Sequence, residues 1–278
     1  MDKKKRFNQI CREIKKVHIQ GARDVAKKAF FAYKLIPTEK SKHILISLRP
    51  TEPMLINILK RADKLSYSKL NNRLNENQKI INKQVFKLIK NNRIIFAHCH
   101  SGSVVSALIY AKRHGKRFEV YNTETRPLFQ GRKTAKELKQ AGIKVTMFVD
   151  SAAATAIEKE NNKDKVHADL ILFGTDAILK KGVINKIGSG MFAEIAYRNN
   201  VPVYILADSW KHAKKIKLEN RDSKEVWDTE KVLIKNPAFE LIKRKYVTGI
   251  ISELGTLSYN QFLKKVKKKI IINFFIGK

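Results

Sequence analysis

Residues 93–122 read RIIFAHCHSGSVVSALIYAKRHGKRFEVYN. An apolar run, Ile94–His98, meets a Ser-Gly-Ser turn. A segment with helical spacing follows, SVVSALIYAKRHGK, and then a second apolar run, Phe118–Asn122. Two short β-branched strands joined by one crossover helix must lie parallel. The alternation continues downstream. Strands are expected at Val145–Val149, Leu170–Phe173, Val203–Leu206 and Val247–Ile251, with helical spacing in TAKELKQAG, near SAAATAIEKE and in GMFAEIAYRNN. Several of these helices end in Gly or Asn with Lys or Arg in the last turn, as helix C-termini favour. The pattern predicts an α/β chain with a parallel, doubly wound sheet.

Upstream the period is helical. Asn8–Tyr33 sets Ile10, Ile14, Val17, Ala22, Val25, Ala26 and Ala29 at three- and four-residue spacings, with Pro37 as punctuation. The apolar stretch HILISL leads into RPTEP, and helices are expected from Met54 to about Leu65 and from Glu76 to Lys90. This predicts a helical N-terminal domain, residues 1–90, and a sheet domain, residues 91–278. The charged, weakly patterned segment Lys211–Lys235 reads as a surface excursion.

The 278 residues are 43% hydrophobic and 30% charged, which fits a globular chain able to bury a full core. Two cysteines, Cys11 and Cys99, argue against a disulfide framework, and no CxxC or HxxxH pattern supplies zinc ligands. The opening MDKKKRFNQI lacks the apolar core of a signal peptide, and the apolar tail is too short to span a bilayer. A cytoplasmic chain with no membrane partner is expected. The charge of +33 favours anionic partners, but lysines are spread at solvent-face spacing instead of forming a basic block with interleaved aromatics.

Ligands of open parallel sheets bind beyond the carboxyl ends of the strands. Five expected strands are followed there by polar residues: Cys99 to Ser103; Thr123 to Arg126 with Gln130 and Gly131; Asp150 and Ser151; Gly174 to Asp176; and Asp208, Ser209 and Lys211. Ser101-Gly102-Ser103 opens a helix whose N–H groups suit a phosphate. Cys99 is either a buried small hydrophobe or a pocket thiol. In the second case the helix terminus, His98 and His100 are expected to lower its pKa. Asp176 is either a helix N-cap or a partly desolvated acid/base. Asn185-Lys186 is expected in a hairpin-like turn ending at Gly188. Arg49 lies on an extended or turn segment before Pro50, where a guanidinium can fork onto an anion. No P-loop or GxGxxG fingerprint is present.

The stretches IQGA (19–22), RPTEP (49–53), HCHSG (98–102), TETRPLFQGRKTAKEL (123–138), GIKVTMFVDSA (142–152), GTDAI with GVINKIGS (174–189) and ADSWK (207–211) resemble one superfamily. It holds the α, β and δ subunits of translation initiation factor 2B, ribose-1,5-bisphosphate isomerase and methylthioribose-1-phosphate isomerase. The resemblance implies a helical N-terminal domain before a Rossmann-like domain, and a homo-oligomer, dimer or hexamer. It implies a catalytic pair at Cys99 and Asp176, and phosphate or sugar contacts at Gly21, Ala22, Arg49, Ser101, Arg126, Asn185, Lys186 and Lys211. The isomerases that act on the bisphosphate carry Arg-Gly-Ala in the first motif, where this chain has Gln20-Gly21-Ala22. Two functions follow as expectations: an aldose–ketose isomerase of ribose-1,5-bisphosphate type with no cofactor, or a noncatalytic subunit that docks on initiation factor 2 and senses a phosphorylated sugar or nucleotide.

Overall fold

A computed structural model describes residues 2–16, 19, 21–158 and 167–276, with side chains to residue 268. Five helices come first: α1 Lys3–Lys15, α2 Ala22–Leu35, α3 Glu39–Leu48, α4 Pro53–Leu59 and α5 Tyr67–Leu88. Side-chain oxygens cap three of them. Asp2 accepts from Lys4 and Lys5 N–H, Thr38 from Ser41 N–H, and Ser66 from Lys69 N–H. The helical stretch Asn8–Tyr33 is thus divided between α1 and α2, and Gly21, at φ 85°, is the left-handed residue from which α2 starts. HILISL lies within α3. The helix expected to reach Leu65 ends at Leu59 and is followed by a 3-10 turn, Ala62–Lys64. The helix expected from Glu76 begins about two and a half turns earlier, where Ser66 caps it.

Apolar residues of α1 to α4 and the first half of α5 form one core, with Ile10, Ile14, Phe30, Leu45, Leu55, Leu70 and Leu74 buried. The second half of α5 turns Ile81 and Val85 into a different core, against Val104 and Leu108. One 22-residue helix thus serves both parts of the chain.

From Arg93 the chain winds a seven-stranded sheet. The elements are β1 Arg93–Ala97, α6 Gly102–Arg113, β2 Phe118–Thr123, α7 Gln130–Gln140, β3 Lys144–Phe148, β4 Leu170–Phe173, β5 Ala177–Leu179, β6 Gly182–Lys186, α8 Ser189–Arg198, β7 Val203–Leu206, β8 Phe239–Lys243, β9 Gly249–Ser252, β10 Gly255–Leu257 and α9 Tyr259–Ile276. The large sheet runs β10-β9-β7-β4-β1-β2-β3, parallel except for β10. Alternation along β1 sends Ile95 and Ala97 to the α5, α6 and α7 face, and Ile94 and Phe96 to the α8 and α9 face. Phe96 meets Phe173 and Phe192 edge to face at ring distances of 6.2 and 5.4 Å. The arrangement is Rossmann-like and doubly wound, with a helical region ahead of it.

Strand order reverses between β1 and β4, so the loops leaving these two strands diverge and open a crevice. The periodicity did not foretell a second sheet, β5-β6-β8, antiparallel throughout, which stands beside that crevice. The run near SAAATAIEKE forms a 3-10 segment, Asp150–Ala156; residues 159 and 160 lie outside the described residues. Among the described residues no helix is long and apolar enough to cross a membrane.

Candidate functional site

The crevice holds a cavity of about 370 Å³. Its floor is the end of β1 and the end of β4. After β1, Cys99 adopts φ 66°, a left-handed conformation that costs a side-chain-bearing residue about 1–3 kcal/mol. The surroundings fix it there: Cys99 N–H donates to Thr125 Oγ1 at 3.0 Å, and Thr134 Oγ1 donates to Cys99 O at 3.0 Å. Thr125 is itself left-handed, at φ 64°. Its N–H donates to Asp150 Oδ1 at 2.9 Å, and the N–H of Arg126 donates to Asp150 Oδ2 at 2.6 Å. Asp150 therefore braces the loop behind the thiol.

Ser101 caps α6, whose N-terminus opens on the cavity, and Gly174 after β4 passes so close that a Cβ there would lie 2.4 Å from Ser101 Oγ. A glycine at that point lets the two strand ends converge. The N-terminus of α2 enters from the helical region through Gly21 and Ala22, so two helix dipoles direct their positive ends at one space.

Of the ten residues that the resemblance singles out, nine line the cavity: Gly21, Ala22, Arg49, Cys99, Ser101, Asp176, Asn185, Lys186 and Lys211. Arg126 does not. Its exposed guanidinium donates to Val226 O at 3.2 Å and lies over the Phe129 ring. Gln20 lies outside the described residues. Asp176 caps no helix; it immediately precedes β5, and its N–H donates to Ile184 O at 2.9 Å across the hairpin. Asn185 and Lys186 are not in a turn but end β6, opposite Glu240 and Phe239 of β8. The turn comes earlier, between Leu179 and Gly182, and Gly188 instead starts α8.

Burial decides the protonation of the site. Enclosure pushes the Cys99 thiol up to about 12, against the pull of Lys186 and of a backbone hydrogen bond from His100. The expected thiolate is thus overturned for the ligand-free protein. The reason lies in the histidines. Burial holds His98 down at about 4, with Nε2–H donating to Ile187 O at 2.9 Å and Nδ1 accepting from Thr123 Oγ1. Burial also lowers His100. Neither ring supplies the cation that the lowered thiol required. Alkylation of folded protein by iodoacetamide at pH 8, mapped by mass spectrometry, is expected to modify Cys99 on the order of a thousandfold slower than a free cysteine, following its smaller thiolate population.

Asp176 is raised by burial, opposed first by Lys211 and then by Arg49. Lys186 is buried, its proton affinity lowered by desolvation, and it faces Cys99. Residues that pattern reading missed complete the walls. Glu52, 1% exposed, is pushed up to about 7 by burial and then by Asp176. Its one sequence signal is its place ahead of Pro53: it occupies the N-cap position of α4 but makes no capping bond. Glu219, Arg221 and Glu225 come from the segment read as a surface excursion. That segment is pinned inward, because Thr51 Oγ1 donates to Lys217 O at 2.8 Å and Arg49 Nε donates to Glu219 Oε1 at 3.4 Å. The i,i+4 spacing of Arg221 and Glu225 was the readable hint.

The match to known proteins is extensive. The model of the Initiation factor 2 subunit family covers residues 65–259. A ribose 1,5-bisphosphate isomerase of Methanocaldococcus jannaschii is 34% identical over 90% of this chain and 91% of its own length. That of Archaeoglobus fulgidus is 36% identical over 62% of this chain, a match that spans 56% of that protein. Among solved structures, a translation initiation factor eIF-2B of Pyrococcus horikoshii superposes with a TM-score of 0.81 at 27% identity, over 91% of this chain and 97% of that one.

Proposed function

We propose that this chain, which belongs to the Initiation factor 2 subunit family, isomerises a five-carbon sugar 1-phosphate to its ketose. The substrate type is ribose 1,5-bisphosphate, converted to ribulose 1,5-bisphosphate. The observation that carries this reading is the meeting of Cys99 and Asp176, from the two diverging strand ends, in one cavity whose other groups suit phosphate. Isomerase relatives of similar length support it.

A sugar 1-phosphate has no free aldehyde, so its ring must open first. Asp176, whose proton affinity burial raises, delivers a proton to the ring oxygen. The hydrogen on C2 then passes to C1 through an enol phosphate, with Cys99 taking it from one carbon and returning it to the next. The hydroxyl proton on O2 goes back to Asp176 as the ketone forms, and the enzyme ends as it began. Lys186, which faces Cys99, is the charge that favours the thiolate this shuttle needs. The α2 and α6 N-termini, Arg49, Asn185 and Lys211 hold the phosphorylated sugar. The same reading carries self-association, as a dimer or hexamer; Met147 and Val149, exposed at the edge of the sheet, suit it.

A proton NMR time course with α-ribose 1,5-bisphosphate, and a parallel one with methylthioribose 1-phosphate, tests the proposal. Ribulose 1,5-bisphosphate signals are the expected result. A second reading, a noncatalytic subunit that binds initiation factor 2, rests on the likeness to the P. horikoshii factor. No change in either sugar, with saturable binding of initiation factor 2, would replace the first reading by the second.

A further inference from the structure

Lys211, which lines the cavity, is carried on a single 3-10 turn, Ser209–Lys211, that follows β7. Three residues do not hold such a turn by themselves, because a helix nucleus is unfavourable and 3-10 hydrogen bonds are poorly aligned. The groups that hold it come from elsewhere. Asp208, 7% exposed, caps it: Oδ1 accepts from Trp210 N–H at 2.8 Å, and the backbone O accepts from Lys211 N–H at 3.0 Å. Helix α5 meets that carboxylate with a two-bonded fork. Arg73 Nη1 donates to Oδ2 at 3.1 Å and Nη2 to Oδ1 at 3.2 Å, while Asn77, one turn on, donates to Oδ2 at 2.6 Å. The same guanidinium lies over the Trp210 ring, 3.4 Å from its centre, and Trp210 packs against the core of the helical region. From α4, Asn57 Nδ2 donates to Trp210 O at 2.8 Å and to His212 O at 3.2 Å. From the sheet, Glu253, just past β9, accepts from Ser209 N–H at 3.0 Å. Lys211 thus leaves a turn held at every residue, and its Nζ donates to the carbonyl of Thr175, the residue before Asp176.

We propose that Arg73 is a positioning residue for Lys211: its fork on Asp208 and its place over Trp210 fix the turn so that the ammonium group stands ready for the phosphate of the sugar. For its ligand this inference rests on the isomerase reading. Arg73 does not line the cavity and acts on the ligand only through Asp208 and Lys211. A lysine stem is long and flexible, so an ammonium group not held in advance loses part of its attraction for phosphate to the cost of being ordered. A lysine at position 73 could not replace the clamp, because a point charge neither forks onto a carboxylate nor lies flat on an indole. The helical region thereby sets the affinity of a site built on strand ends.

Arg73→Lys, which keeps the charge and loses the fork, is therefore the test. KM for α-ribose 1,5-bisphosphate is expected to rise about tenfold, the lower end of one charge-assisted contact, with kcat changed far less. In a Lys211→Met background the same substitution is expected to add nothing to KM, because the group it positions is gone. A merely structural role would lower the active fraction, and so kcat, at unchanged KM and whatever stands at position 211. Either of those results overturns the proposal. A second measurement needs no turnover. Trace acetylation of the ligand-free protein with acetic anhydride, mapped by mass spectrometry, is expected to modify Lys211 severalfold faster in Arg73→Lys than in the parent. Lys186, held on β6, is expected to keep its parent rate. Asp208→Asn, which retains a capping oxygen but not the carboxylate that the fork grips, is expected to free Lys211 in the same way. Lys211 acetylated at the parent rate in both variants, or Lys186 rising with it, overturns the positioning role. Faster acetylation of Lys211 alone, with no turnover of the sugar, leaves the positioning role standing and removes the isomerase reading.

Discussion

Asp176→Asn is expected to lower kcat on α-ribose 1,5-bisphosphate by roughly 10²–10⁴-fold, the usual worth of one general acid, with the fold and ligand affinity retained. The side chain is nearly isosteric, and the backbone N–H that anchors it to Ile184 O is untouched. Only the transferable proton is lost. Lys211 and Arg49 would then face a neutral amide in place of a neutral acid, so an anionic ligand keeps its place in the same cavity. Ring opening is thus lost while binding is kept, a separation that burst-free steady-state kinetics and calorimetry read independently. Retention of the parent rate would remove Asp176 from the chemistry. Cys99→Ser probes the other wall: the left-handed backbone and its two hydrogen bonds do not involve the sulfur, so a similar loss there would be chemical and not structural.

Gly131→Ala is expected to cost at least about 3 kcal/mol of stability, near the upper end for an inserted methyl group. A Cβ at that position would lie 1.7 Å from Thr123 O, 2.8 Å from Thr123 C and 3.0 Å from Glu124 C, all backbone atoms with no rotamer to yield. The first turn of α7 cannot back away easily, because Gly131 N–H donates to Glu124 O at 3.1 Å and Asn122 Nδ2 donates to Gly131 O at 2.9 Å. For a chain of this size the melting temperature should fall by about 6–12 °C. Gly115→Ala is the control. Its Cβ meets nothing within 4 Å, so only the left-handed backbone at φ 90° is penalised, about 1–2 kcal/mol. A loss at Gly131 no larger than at Gly115 would mean that β2 and α7 are not held against each other as described.

The seven-stranded sheet was largely legible because its inner strands are β-branched runs that must be buried on both faces. Leu170–Phe173 and Val203–Leu206 fall where the pattern put them. The small sheet was not. Ala177–Leu179 is too short to show a period, Gly182–Lys186 is buried throughout, and Phe239–Lys243, with its charges at Glu240 and Lys243, shows no two-residue alternation and follows a stretch without pattern. The cavity-lining residues after β1 and β4 were legible through strand order, since polar residues at a switch point have few other uses. Glu52 was not, for its significance comes from Asp176, Lys211 and Glu219, which only the folded chain brings to it. The charge state of Cys99 was misjudged because a helix terminus and two nearby histidines are visible in sequence, whereas the desolvation that outweighs them is a property of the closed fold.

Helix α5 has one further implication. Over a length of roughly 33 Å it lends Leu70 and Leu74 to one core and Ile81 and Val85 to the other. The chain has no severable joint at the place where helices give way to strands. A cut there would strip each half of an apolar face, leaving two sticky fragments instead of two modules. The opposing jaws of the cavity are mounted on a common beam, so they cannot swing about a hinge between them. The segment carrying Glu219, Arg221 and Glu225 closes the cavity from outside that beam, tied to the helical region by the bonds from Thr51 and Arg49.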